Sequence, residues 1–130
     1  GTWNLHNLTK TLELDVFLML SSISTITGAQ GLVNYVAGNS FLNGAARYRQ
    51  HKGLPGVSIN FGEWTLGMAF REGVSEIAAY GVYPISPGKG LTTTGIILNL
   101  DIAESYVGIF EWEQYARFVN QRQKEGIFSQ

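Results

Sequence analysis

The sequence predicts an α/β fold with a doubly wound parallel sheet, and three observations predict it. Short apolar runs at 16–20, 57–61 and 106–110 read as strands, and the first is apolar without alternation, as a parallel strand buried on both faces reads. Helical periodicities lie between these runs, so helix and strand alternate along the chain, which implies parallel pairing through crossover helices. At 130 residues with 45% apolar side chains, the chain is long enough to bury a real core as a single domain.

The elements follow in order. Leu5, Leu8 and Leu12 recur at spacings of three to four and predict an amphipathic helix. Residues 15–22 form the first strand, and 21–30, with Ser, Thr and Gly, a loop. The stripe Val33, Val36, Ala37, Phe41, Ala45 and Tyr48 predicts a helix over 31–52, with Gly53 at its C-cap and Pro55 just beyond. Residues 57–61 are the second strand, followed by a loop over 62–70 and a short helix at 74–80. Ser86-Pro87 opens a helix that runs to about residue 99. A third strand at 106–110 and an amphipathic helix at 111–123 complete the chain. Three strands make a thin sheet for a doubly wound fold, so the chain reads as part of something larger.

Composition narrows the function. Charged residues make up 15% against a typical ~25%, which argues against disorder or a coiled coil. A net charge of −1 provides no electrostatic footprint for nucleic acid or an anionic membrane. With no Cys and only His6 and His51, no disulfide, thiolate nucleophile or histidine-cluster metal site is expected. The apolar run at 16–20 is far short of the ~20 residues that span a bilayer. Residues 1–5 lack a basic region followed by an apolar core, so no signal peptide is expected and the chain reads as cytoplasmic.

The chemistry gathers where the strands end. In open parallel sheets ligands bind beyond the carboxyl ends of the strands, and Ser21-Ser22 and the segment from Asn60 to Trp64 occupy those positions. Tyr35 and Asn39, four apart, share one helix face. Ser22 precedes Tyr35 by thirteen residues, across a loop that lets the strand end face the first helical turns. A Ser and a Tyr hydroxyl together suit carbonyl reduction: the Ser donates a hydrogen bond to the carbonyl oxygen, and the Tyr delivers a proton to it as hydride arrives. A tyrosine does this near neutrality beside a cation. Taken singly, Ser22 is an ordinary turn residue and Tyr35 an ordinary helical aromatic; it is their spacing together with Asn39 that points to chemistry. Glu63 reads as a solvated loop carboxylate, His51 as a charge favoured at a helix C-terminus, Lys10 as a surface residue, and Trp3, Trp64 and Trp112 as packing residues.

Three segments carry a family resemblance: Ser21-Ser22-Ile23-Ser24, Tyr35-Val36-Ala37-Gly38-Asn39 and Leu54-Pro55-Gly56-Val57-Ser58-Ile59-Asn60. In that order and spacing they resemble the ketoreductase domain of modular polyketide synthases, within the short-chain dehydrogenase/reductase superfamily. The resemblance implies a Rossmann-like sheet, with Ser22 and Tyr35 as the catalytic pair and Asn39 as the supporting amide, the family's own variant at that place. It also implies that Tyr35, Phe61, Gly62 and Trp64 lie near the nicotinamide of NADPH, with Phe61 replacing the usual Trp. Gly67, Met68 and Ala69 resemble the start of the lid over the acyl substrate. No metal is implied.

The resemblance further implies that the substrate is a β-ketoacyl thioester on an acyl carrier protein, reduced to the β-hydroxyacyl thioester. The Gly-rich turn that seats the cofactor pyrophosphate does not occur here, and the family's catalytic Lys is expected just upstream of Gly1. The chain therefore reads as the C-terminal half of a ketoreductase domain. Its N-terminal nucleotide-binding half would be a partner, on the same polypeptide or a separate chain. Two other readings are a free-standing short-chain dehydrogenase, opposed by Asn39 in place of Lys, and an inactive structural half-domain.

Overall fold

A computed structural model describes residues 1–66 and 80–125, with side chains to Gln121. The expected lid residues Gly67, Met68 and Ala69, and all but Tyr80 of the helix expected over 74–80, lie outside the described residues. Contacts group the chain into two units, Gly1–Phe61 with Gly88–Val107, and Gly62–Pro87 with Gly108–Gln130.

The first unit opens with α1 (Thr2–Thr9) and β1 (Leu18–Ser22), followed by the short α2 (Ser24–Thr27), α3 (Val33–His51) and β2 (Val57–Phe61). It closes with α4 (Pro87–Leu98), whose first residue Pro87 falls in the second unit, and β4 (Glu104–Val107). Its sheet is parallel throughout, in the order β1-β2-β4, as the alternation of elements predicts. Among the described residues β1 pairs only with β2, so its other edge is open, with Val16 and Leu20 exposed beside it. Gly53, with φ +70°, ends α3 where the sequence places the cap.

Register sorts the sheet into two faces. Met19 pairs with Ser58, and Ser58 with Glu104; Ser21 pairs with Asn60, and Asn60 with Tyr106. Side chains alternate along a strand, so these two rows share the face that α3 covers. Met19 packs there with Ala45 and Ala46 of α3, flanked by Phe17 and Leu42. Ile59 and Phe61 are buried on the opposite face. Small side chains at Ala45 and Ala46 let α3 lie close, and the close approach continues at Gly56. A Cβ there would stand 2.8 Å from Arg49 Cβ and 3.0 Å from the Ala46 carbonyl oxygen.

Two expected helix faces are corrected. On α3 the buried residues are Asn43, Ala45, Ala46 and Arg49, while Val33, Phe41 and Tyr48 of the expected stripe are exposed. Its core contact is thus made by small and hydrogen-bonded polar side chains, which apolar periodicity does not detect. On α1, Leu5 and Leu8 are exposed and Leu12 lies past the helix end, while His6 is the buried residue. His6 is held inward by a cluster. Its ring packs against Trp3 at 4.8 Å and edge-on to Tyr48 at 5.4 Å. Arg49 Nη1 donates to His6 Nδ1 at 3.2 Å, Arg49 Nε donates to the Pro55 carbonyl at 2.6 Å, and the guanidinium lies 3.8 Å over the Phe17 ring.

In the second unit β3 (Val82–Tyr83) pairs antiparallel with β5 (Ile109–Phe110), and α5 (Trp112–Glu125) follows. The third strand, expected over 106–110, is therefore two strands in two sheets, divided at Gly108. Gly81 needs its lack of a side chain: its φ is +79°, and a Cβ would meet the Glu111 carbonyl oxygen at 2.7 Å. Trp112 stacks on Phe110 at 4.5 Å between ring centroids.

Candidate active site

The carboxyl end of β1 meets the first turns of α3. Ser21 Oγ lies 3.2 Å from the Asn39 carbonyl oxygen, which places that turn of α3 against the strand end. Ser22, the last residue of β1, holds its Oγ as acceptor for the Ser24 amide at 3.2 Å. A hydroxyl has one proton and two acceptor positions, so this contact leaves the Ser22 proton available to a ligand.

Tyr35 stands near the start of α3 and is 52% exposed, and its phenol oxygen makes no hydrogen bond among the described residues. Asn39, one turn later, donates from Nδ2 to the Tyr35 carbonyl at 2.9 Å. Mid-helix Asn is unfavourable because its amide competes for backbone groups; here it spends that capacity on the backbone that carries the phenol. The structure thus links Tyr35 to Asn39 directly and brings their turn against Ser21, the neighbour of Ser22.

The residues expected near a nicotinamide follow β2. Phe61 ends the strand; it is buried and its carbonyl accepts from the Ile23 amide at 2.9 Å. Gly62 is buried and Trp64 half-buried; both belong to the second unit, where Trp64 bridges to Ile85. Among the described residues no cluster of His, Asp and Glu could hold a metal ion, and no helix is long and apolar enough to cross a membrane.

Sequence reasoning missed the polar network beneath these residues. Asn60, fully buried, receives three donors at Oδ1: Ser21 Oγ at 2.7 Å, Thr25 Oγ1 at 3.0 Å and Asn43 Nδ2 at 3.0 Å. Its Nδ2 donates to the Ser105 carbonyl at 3.0 Å. Ser58 Oγ donates to Asn43 Oδ1 at 2.7 Å. Asn43 Nδ2 also reaches Glu104 at 3.1 Å, and Arg47 pairs with that carboxylate at 2.6 Å. Tyr106 donates its phenol proton to Glu104, and that hydrogen bond raises the Tyr106 pKa above the usual tyrosine range. The available signal was the alternation Val57-Ser58-Ile59-Asn60-Phe61, in which polar and apolar residues occupy opposite faces.

The chain is similar to known proteins along most of its length. A family model described as "KR domain" matches residues 1–66. Phenolphthiocerol synthesis polyketide synthase type I Pks15/1 of Mycobacterium bovis is 35% identical over 107 residues, which is 78% of this chain and 5% of that protein. Reducing polyketide synthase BOA9 of Botryotinia fuckeliana is 55% identical over 60 residues, 46% of this chain and 3% of that protein. A solved structure, the first ketoreductase of the tylosin polyketide synthase, is 28% identical with a TM-score of 0.85; the match covers 93% of this chain and 27% of that one. The chain spans 5% or less of these two curated relatives and about a quarter of the solved ketoreductase.

Proposed function

Because the chain belongs to the ketoreductase domains of polyketide synthases, we propose that it carries the catalytic residues of an NADPH-dependent β-ketoacyl reductase. The substrate is a β-ketoacyl thioester on an acyl carrier protein, and the product is the β-hydroxyacyl thioester. The supporting observation is a pair of donors carried where β1 meets α3: the exposed phenol of Tyr35, unpaired among the described residues and carried on backbone held by Asn39, and the Ser22 hydroxyl, whose oxygen accepts from the Ser24 amide. That donor set fits the reacting end of a nicotinamide–ketone pair, where negative charge develops on one oxygen.

NADPH, when bound, supplies the hydride. Ser22 donates a hydrogen bond to the carbonyl oxygen and orients it. Tyr35 transfers its phenol proton to that oxygen as the charge develops, so no free alkoxide forms. Asn39 holds the Tyr35 backbone in place. Phe61, Gly62 and Trp64 are the residues that would lie near the nicotinamide. Gly67 and Met68 begin the substrate lid. The N-terminal half of the domain supplies the Gly-rich turn for the pyrophosphate and a parallel strand for the open edge of β1, and the assembly works in the cytoplasm.

The test is reduction of a small diketide thioester by the ketoreductase that contains this chain, followed by NADPH oxidation. Wild type should turn over, and Tyr35→Phe should lose about 10²–10⁴-fold in rate with NADPH affinity little changed. Retention of more than about a tenth of wild-type rate overturns the assignment of Tyr35 as proton donor.

A further inference from the structure

We propose that Asn60 is a positioning residue for this reduction: its carboxamide locks α3 to the ends of β1 and β4 and so sets where Tyr35 stands relative to Ser22. The proposal rests on the reductase reading above.

The three donors that converge on Asn60 Oδ1 each flank a residue of the site. Ser21 precedes Ser22 in the strand, at 2.7 Å. Thr25, at 3.0 Å, follows Ser24, whose amide holds the Ser22 hydroxyl. Asn43, at 3.0 Å, lies one helical turn after Asn39 and two after Tyr35. On its other side Asn60 Nδ2 is fixed by the Ser105 carbonyl in β4. That carbonyl can only accept, so the amide has one orientation, with its oxygen turned toward the site.

An apolar residue would fill this buried place, but dispersion contacts change little when a helix slides by a fraction of an ångström. Hydrogen bonds at 2.7–3.0 Å lose their geometry over such a shift. A polar hub here serves position, and position governs proton transfer steeply: a misplacement of about 1 Å can cost about 10²-fold. No atom of Asn60 is exposed, so it acts through Ser21, Thr25 and Asn43 and touches no substrate.

The experiment compares Asn60→Ala with wild type in the complete ketoreductase with NADPH and a diketide thioester, with kcat expressed per folded molecule well below Tm. Asn60→Ala should lower kcat about ten- to a hundredfold while KM for NADPH moves less than about twofold. If Asn60→Ala lowers Tm but leaves kcat unchanged, the proposal is overturned. Should Asn60→Ala fail to fold, Ser21→Ala removes the shortest donor to Asn60 Oδ1 and must lower kcat several-fold; unchanged kcat overturns the proposal. A wild-type enzyme without turnover overturns the reductase reading and this proposal together, whereas unchanged kcat in the variants of an active enzyme overturns this proposal alone.

Discussion

The side-chain amide of Asn39 donates to the main-chain carbonyl of Tyr35 one turn earlier on α3, at 2.9 Å. The bond runs along the helix rather than toward a ligand, so Asn39 secures the backbone that carries the phenol and makes no bond to the phenol itself. Proton delivery and its support are thereby divided between two residues on one helix face.

That division ranks the site variants. Ser22→Ala should cost about 10²–10³ in kcat, the loss seen for single donors to a developing oxyanion. Asn39→Ala should cost less, since it neither donates to the carbonyl nor transfers a proton. His51→Ala, at the far end of the same helix, should change the rate by no more than a few-fold. Steady-state NADPH oxidation by the three variants checks the order, and an Asn39→Ala loss larger than that of Ser22→Ala contradicts it.

Acid should destabilise the cluster around His6. Burial, then the nearby cations Arg49 and Lys10, lower the His6 pKa below its ordinary value. Arg49 is donor-only, so its contact with Nδ1 requires the neutral tautomer protonated at Nε2. A group with a depressed folded pKa binds its proton more readily when unfolded. The contribution is therefore fully present above the unfolded pKa of about 6.5 and is lost as pH falls through the lower folded value. Urea midpoints should drop between pH 7.5 and pH 5, and His6→Gln, which cannot take up the proton, should reduce that drop. Equal pH profiles for the two proteins would contradict the account.

Gly56→Ala should destabilise the fold. The added Cβ has the Ala46 backbone carbonyl 3.0 Å away and Arg49 Cβ at 2.8 Å, so α3 itself must shift. Overpacking of this kind costs about 1–3 kcal/mol, readable as a lower urea midpoint at unchanged slope. A midpoint equal to wild type would show that the α3–β2 approach is looser than described.

The open edge of β1 should make the 130-residue chain associate when it is alone. Val16 and Leu20 are exposed beside unpaired strand backbone, and such edges template pairing with other chains. Light scattering and dye binding should report association, and Leu20→Lys should reduce both. A stable dilute monomer without dye binding would contradict this.

The sequence disclosed the parallel order and the Tyr35–Asn39 face, because both depend on periodicity and spacing. Other features leave weaker traces. The first strand begins at Leu18 rather than at residue 15, since Val16 is apolar yet unpaired. α2 is four residues long, too short for a helical period, and β3 is two residues long, which no alternation can signal. Asn43 and Arg49 are buried by virtue of their partners, and hydrogen-bond partners are a property of the fold rather than of the local sequence.

The all-parallel pairing of β1, β2 and β4 also has a kinetic side. Leu18 meets Val57 and Ser58 meets Glu104, so no pairing in this sheet can nucleate as a hairpin. Each needs a long loop to close before its contacts repay that entropy, which makes such topologies slow to form. During synthesis β1 emerges and waits for β2 while α3 is still being made. In that interval chaperone capture or pairing with a neighbouring chain competes with the native closure of α3 onto Met19.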